Sequence, residues 1–445
     1  MINQRALPYL PSSEPYFERI RHLGYAVFLD SGRPKCPWGR FDIISAQPVE
    51  LLEMNAEGTE QPFDALQKLY SKYQITVSEN PDLPFQGGII GHFSYDLGRS
   101  TEQFQSQAAK YTQLPDLRAG LYLWAVVVDH HKETATLVST PNVDETQLSQ
   151  LESLLLNDIS PETNSFALNN QFEANLTAEE YKQKLKTVDN YIHAGDCYQV
   201  NFTQRFNSNF TGDTWTAYKQ LREVAPTPYS AFLDSPEQQI LSLSPEQFLE
   251  SKQQQVTTKP IKGTRPRSAD PQTDANLKQE LIDSEKDRAE NLMIVDLLRN
   301  DLSKVCELNS VKVPKLFNIE SYANVHHKVS TVTGRLAPNS SPVALLKHCF
   351  PGGSITGAPK IRAMQIIEEL EPHRRSVYCG SIGYISFCGS MDTSITIRTL
   401  LCEDGKIYCW AGGGIVADSD AQNEYEETFS KVNNLLHCLE RTISK

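Results

Sequence analysis

Asp404-Gly405 stands between two short apolar runs, Ser394 to Leu401 and Ile407 to Trp410. Asp-Gly readily takes the positive φ angles of a two-residue turn, so the two runs read as an antiparallel hairpin and not as strands joined by a crossover helix. The pattern recurs along the chain. Leu121 to Val128 leads through the polar tip Asp129 to Glu133 into Thr136 to Ser139, a second hairpin. Tyr25 to Leu29, Phe41 to Ile44 and Val49 to Met54 precede it, and Gly87 to Tyr95 is a glycine-punctuated run. Tyr198 to Phe206, Tyr229 to Leu233, Ile240 to Leu243, the run ending at Lys262, Val311 to Ile319, Val325 to Thr333 and Ser381 to Phe387 follow. Regular βαβ alternation is rare. The expected fold is therefore α+β, with large antiparallel sheets packed together and flanked by helices.

Helical spacing is clearest after residue 176. Thr177 and Glu180 have the spacing of a capping box, Tyr181, Leu185, Val188 and Ile192 line one face, and Gly195 is a natural stop. Further helices are expected over Phe63 to Tyr73, Trp215 to Val224, Leu277 to Leu298, Pro342 to His348 and Ile361 to Leu370. A last one runs from Asp418-Ser419-Asp420 to about Leu439. Residues 141–176 turn polar, which divides the chain into an N-terminal domain at 1–140, a connecting segment at 141–176 and a second domain at 177–440.

The 445 residues carry a net charge of −13, which argues against a nucleic-acid or anionic-membrane surface. The nine cysteines are scattered and none forms C-x-x-C, as expected for reduced thiols. The N-terminus lacks an apolar signal core and no stretch could span a bilayer, so a soluble cytoplasmic protein is expected.

Asp283, Asp287 and Glu290 are spaced i, i+4, i+7, and Asp420, Glu424 and Glu427 repeat that spacing. Two such stripes can offer oxygen ligands to a hard cation such as Mg²⁺; they can equally be two solvated faces. Pro351 to Lys360 (P-G-G-S-I-T-G-A-P-K) departs from a phosphate loop, because Ala358-Pro359 separates Gly357 from Lys360. It can still present backbone N–H groups to a carboxylate, as can Gly412 to Gly414. Arg398 alternates with the apolar Ile395 and Ile397, and needs either a substrate carboxylate or a structural salt bridge. His327 is a candidate donor or a structural histidine. Lys262, between Ile261 and Gly263, is a turn lysine or a buried nucleophile. Glu246 precedes it by sixteen residues across a plausible hairpin, and a buried carboxyl there can act as a general acid.

G-D-C-Y-Q-V-N (195–201), S-P-E (244–246), P-I-K-G-T (260–264), D-R-A-E-N (287–291), H-x-V-S (327–330), G-G-S-I-T-G-A-P-K (352–360), I-R-T (397–399) and A-G-G-G-I-V-A-D-S (411–419) stand in unbroken order. Together they resemble the chorismate-binding family of anthranilate, aminodeoxychorismate, isochorismate and salicylate synthases. The resemblance spans about residues 175 to 440, and the N-terminal part resembles the companion domain of the amino-transferring members. It implies the fold of anthranilate synthase component I. It further implies Mg²⁺ on Glu290 and Glu427, with Asp287 and Glu424 acting through water. Gln199, His327, Thr356, Arg398, Gly413 and Gly414 would bind chorismate.

Two positions select a branch. Lys262 resembles the nucleophilic lysine of the aminodeoxychorismate-forming members, where anthranilate synthases carry Ala. Gln199 stands where the isochorismate and salicylate branch places a water-activating Lys. The resemblance thus implies 4-amino-4-deoxychorismate formation through a Lys262 adduct, with Glu246 as acid. Ammonia would come from glutamine on a partner amidotransferase subunit, component II, since the synthase itself uses up the chain. The alternatives are anthranilate synthase component I and a non-catalytic chorismate-binding subunit. Ser31, Trp38, Gly39, Arg40, Phe41, Pro228, Tyr229 and Ser230 match a tryptophan pocket of the family, although Leu29-Asp30-Ser31 departs from the L-L-E-S of feedback-regulated members. A regulatory tryptophan, a structural one and an empty vestige all remain open on sequence.

Overall fold

The computed structural model describes residues 2–73, 80, 82–102, 104–157, 164–322 and 325–443. Among these residues the strands form two antiparallel sheets, one of thirteen strands and one of ten. The hairpin at Asp404-Gly405 joins Thr399–Glu403 to Lys406–Ile415, with Glu403 opposite Lys406. Asp404 and Gly405 take φ 49° and 71°, the left-handed pair that such a tight turn requires.

Strand alternation explains how the sheets stack. In Ala26–Asp30 and Phe41–Ser45, Val27 and Ile43 join the apolar cluster between the sheets. Their neighbours Phe28 and Ile44 point the other way, into a cluster with Phe17, Trp215, Leu221 and Leu435 of the covering helices. Helix Ala178–His193 opens with the expected capping box: Thr177 accepts from the Glu180 amide and Glu180 accepts from that of Thr177.

Three predicted elements divide. Leu121 to Val128 is two strands, Leu117–Tyr122 in the ten-stranded sheet and Trp124–Asp129 in the thirteen-stranded one. Ser394 to Leu401 divides likewise into Met391–Ile395 and Thr399–Glu403, so Thr396, Ile397 and Arg398 carry the chain from one sheet to the other. The first crossing is a nearly continuous apolar run and the second alternates polar with apolar residues straight through it; in both, the flanking strands are buried and periodicity cannot register a change of sheet. The long helix expected over Leu277 to Leu298 is Pro271–Asp283 followed by Glu285–Ser303. Ser284 ends the first and caps the second, accepting from the Asp287 amide at 3.2 Å.

Both sheets draw strands from either side of residues 141–176. Leu29 lies opposite Ala231 in one sheet, and Gly91 opposite Gly383 in the other. The polar segment itself contains helix Glu145–Leu156 and the short strands Phe166–Leu168 and Glu173–Ala174; its residues 158–163 lie outside the described ones. All nine cysteines are free, and among the described residues no helix is long and apolar enough to cross a membrane.

Candidate active site

Strand Ile261–Pro266 presents Lys262 beside strand Val325–Arg335. Gly263 follows at φ 87°, and a Cβ there would lie 2.8 Å from Asp287 Cγ. The glycine therefore lets helix Glu285–Ser303 close onto the lysine strand. The Lys262 amine donates to the Ser354 carbonyl at 3.3 Å. Desolvation lowers its pKa, against the pull of Glu290, Glu246 and Glu427, so burial favours the neutral amine.

Glu246 is buried at the start of strand Gln247–Lys252. Its backbone is held by Ser244 Oγ at 3.2 Å and by the Ile395 amide at 3.0 Å. Burial raises the carboxyl to about 7, although Lys262, the Ser354 hydroxyl and the Ile261 amide all pull it down. Ser354 thus touches both groups, its carbonyl on the lysine and its hydroxyl on the acid. It sits in the turn Gly353–Ile355 of the glycine-rich loop. The same loop turns Lys360 away from this centre, onto Asp301 at 2.6 Å. Thr356 is fully buried, with its hydroxyl donating to the Gly352 carbonyl at 3.0 Å.

The acidic stripes are shorter than their spacing suggests. Asp283 belongs to the preceding helix, is exposed, and accepts from Gln279. Asp420 is the cap of the last helix, Ala421–Glu440, accepting from the Gln422 and Asn423 amides. What remains is Asp287 and Glu290 on one helix, and Glu424 and Glu427 on the other. Glu290 is raised by burial and by the Asp287 and Glu427 charges, and Glu424 by burial and by Glu427. Burial opposes ionisation of Glu427, yet Lys431, at 2.6 Å, holds it below the usual glutamate range. Asp287 Oδ2 is buried without a hydrogen bond among the described residues, with Arg265 at 3.5 Å. An ideal Cβ on Gly413 would stand 2.8 Å from Glu424 Oε2 and 3.6 Å from Glu427 Oε1, so both carboxylates lie over that glycine. Among the described residues no three acidic, His or Cys side chains close on one point as a ready-made cage. Mutually repelling, oxygen-only, partly unpaired carboxylates suit Mg²⁺, which takes one or two of them and keeps its waters.

Arg398 stands in the crossover between sheets at φ 52°, a conformation that costs energy for a side-chain-bearing residue. Among the described residues no carboxylate pairs it, and burial alone lowers its pKa. The salt-bridge alternative is therefore absent there, and the guanidinium is free for an anionic ligand. Gln199, fully buried on strand Gln199–Gly212, leaves both amide atoms without partners among the described residues. The strand lies against Lys406–Ile415 with Asn201 opposite Gly414 and Phe202 opposite Gly413, which places Gln199 over Gly414. His327 is buried, and burial followed by the Arg398 charge pushes its pKa to about 4.

Sequence reading assigned no role to Ser354 or Lys431. Lys431 donates to the Gly412 carbonyl at 2.8 Å as well as pairing with Glu427. On sequence it is an ordinary i, i+4 partner on a helix face; only the packing of that helix on strand Lys406–Ile415 brings its charge to Lys262 and Glu246.

A cavity of about 250 Å³ lies between the sheets, apart from this centre, and is lined by Ser31, Trp38, Gly39, Arg40, Phe41, Pro228, Tyr229 and Ser230. All eight residues expected around a tryptophan pocket thus meet at one place. Gln247, Lys259 and Asp392 complete its polar wall.

The profile of the chorismate binding enzyme family matches residues 26–437. The chain is 48% identical over 442 residues to aminodeoxychorismate synthase component 1 of Escherichia coli (strain K12), covering 97% of this chain and 96% of that protein. It is 40% identical to anthranilate synthase component 1 of Thermus thermophilus, over 85% of this chain and 83% of the other. Among solved structures, anthranilate synthase component I from Streptococcus pneumoniae superposes with a TM-score of 0.80 at 33% identity, covering 90% of this chain and 92% of that one. The menaquinone-specific isochorismate synthase of Escherichia coli shares the fold, with a TM-score of 0.77 at 17% identity over 99% and 94% of the two chains. With the motifs in order, the two-sheet fold in common and the match running through nearly its whole length, this chain belongs to the chorismate binding enzyme family.

Proposed function

We propose that this chain converts chorismate and ammonia to 4-amino-4-deoxychorismate, as component 1 of an aminodeoxychorismate synthase serving 4-aminobenzoate and folate biosynthesis. The observation that carries the choice of reaction is Lys262, a desolvated amine that shares Ser354 of the glycine-rich loop with a buried acid, Glu246. The relatives named aminodeoxychorismate synthase component 1 support the same choice.

In this mechanism the neutral Lys262 amine attacks C2 of the ring. The two conjugated ring double bonds shift, the C4–O bond breaks, and Glu246 delivers its proton to the departing hydroxyl, which leaves as water. Ammonia then forms a bond to C4, the two double bonds shift back and the C2–N bond to Lys262 breaks. Glu246, now a carboxylate, accepts the surplus proton of the incoming nitrogen. Arg398 and the backbone at Gly413 and Gly414 hold the enolpyruvyl carboxylate, and His327 and Gln199 line the ring. Glu290 and Glu427, aided by Asp287 and Glu424, would hold Mg²⁺, whose charge neutralises the ring carboxylate. Lys431 keeps Glu427 ionised for that purpose. Ammonia arrives from a separate glutamine amidotransferase subunit. The cavity at Ser31 and Trp38 is assigned to tryptophan, an amphipathic ligand suited to its mixed aromatic and charged wall.

The reading is tested by incubating the protein with chorismate, Mg²⁺ and an ammonium salt. Aminodeoxychorismate is expected as product; release of fluorescent anthranilate with pyruvate would instead make the chain an anthranilate synthase. The metal assignment is tested with Gly413→Ala. The nearest atoms to the added methyl are the flexible ends of Glu424 and Glu427, so the fold should hold. The Mg²⁺ concentration for half-maximal rate is expected to rise by about 10-fold, the usual lower effect of disturbing ligand support. An unchanged Mg²⁺ dependence would remove those two carboxylates from the site.

A further inference from the structure

Strands Ile261–Pro266 and Val325–Arg335 set Thr264 directly opposite His327. The Thr264 hydroxyl lies 2.8 Å from His327 Nδ1. On another side the Tyr322 ring meets the imidazole edge-on, with centroids 5.5 Å apart and planes at 62°. The ring is thereby fixed in place. With its pKa pushed to about 4, the imidazole is neutral at pH 7 and carries one ring proton. The partner on one nitrogen decides which nitrogen holds that proton. Among the described residues the Thr264 hydroxyl is the hydrogen-bond partner of Nδ1, and Nε2 has none.

We propose that Thr264 is a positioning residue: its hydroxyl donates to Nδ1 and holds His327 as the Nε2–H tautomer, a hydrogen-bond donor to the substrate beside Arg398. The proposal rests on the reading that the site takes an anionic chorismate. A carboxylate or carbonyl oxygen is only an acceptor, so a lone pair at Nε2 would repel it, whereas an N–H would share it with the Arg398 guanidinium. Because the imidazole stays neutral, it adds a donor without adding a second fixed cation next to Arg398.

The test uses the full-length protein labelled with ¹⁵N-histidine, with the His327 resonances assigned through His327→Gln. Wild type and Thr264→Ser are expected to show the Nε2–H tautomer in the free protein, and Thr264→Val to lose that bias. In parallel, Thr264→Val is expected to raise KM for chorismate by about 10-fold with a smaller change in kcat, as for one lost hydrogen bond to a charged group, and Thr264→Ser to restore it. An Nδ1–H tautomer in wild type overturns the proposal; so does a Thr264→Val variant that keeps both the Nε2–H tautomer and the wild-type KM. Thr264 is exposed, so folding should survive, and the wild-type tautomer is decisive on its own. Should wild type fail to turn over chorismate, the substrate reading falls, while the spectra of the free protein still decide what Thr264 does.

Discussion

Replacing Lys262 by alanine is expected to lower aminodeoxychorismate formation by on the order of 10³-fold, since removing a nucleophile removes a whole route and not one contact. The lysine is partly buried and its one hydrogen bond among the described residues is to a backbone carbonyl, so its loss should leave the strand and the sheet intact. Intact-mass measurement supplies a readout independent of rate. Wild type incubated with chorismate while ammonia is withheld should gain a chorismate-derived mass, mapped by peptide analysis to Lys262, and Lys262→Ala should gain none. A variant that kept turnover within a few-fold of wild type, or a wild type with no adduct, would make Lys262 a structural residue of its strand.

Glu246→Gln should cost about 10²- to 10⁴-fold in turnover, the range for loss of a positioned acid. Its pH signature follows from the raised carboxyl. A general acid works in its protonated form. With a pKa of about 7, that form dominates below neutrality and declines about tenfold per unit above it. The rate of wild type should therefore fall as pH rises past 7. The opposite limb belongs to Lys262, whose amine must lose its proton to attack, so activity should also fall toward acid. Glu246→Gln should erase the alkaline limb while keeping the acid one. An alkaline limb that persisted in the glutamine variant would assign it to another group. The two groups interact, so the limbs report the pair rather than either residue alone.

Part of this centre was legible because it is written in short, local signals. P-I-K-G-T places a lysine between an apolar residue and a glycine, and the glycine does take a positive φ that lets a helix approach. D-R-A-E-N keeps Asp287 and Glu290 on one helix, as their spacing requires. The stripes were nevertheless read one residue too far at their N-terminal ends. Ser284 breaks the first helix just after Asp283, and Asp420 is a cap; in both cases a residue that can stop or start a helix took precedence over the i, i+4 repeat. Arg398 was read inside a strand because apolar neighbours flank it. It is instead the crossing between two sheets, a fact about where each flanking strand finds its partner.

The antiparallel hairpins, the capped helices, the identity of the candidate nucleophile and acid, and the ordered motifs that mark the family are all set by the amino-acid order. These depend on residues within a few positions of one another, or on residue types whose chemistry is intrinsic. Tertiary structure alone decided the protonation chemistry and the company each group keeps. Lys262 and Glu246 share Ser354 because a loop more than ninety residues downstream folds under them. Lys431 reaches the site because the last helix packs on strand Lys406–Ile415. Among the described residues Arg398 is left without a carboxylate, and Gln199 without a partner, because both are enclosed between elements far apart in the chain. Burial depends on what covers a side chain, and in this fold the cover comes from distant segments; no local pattern records it.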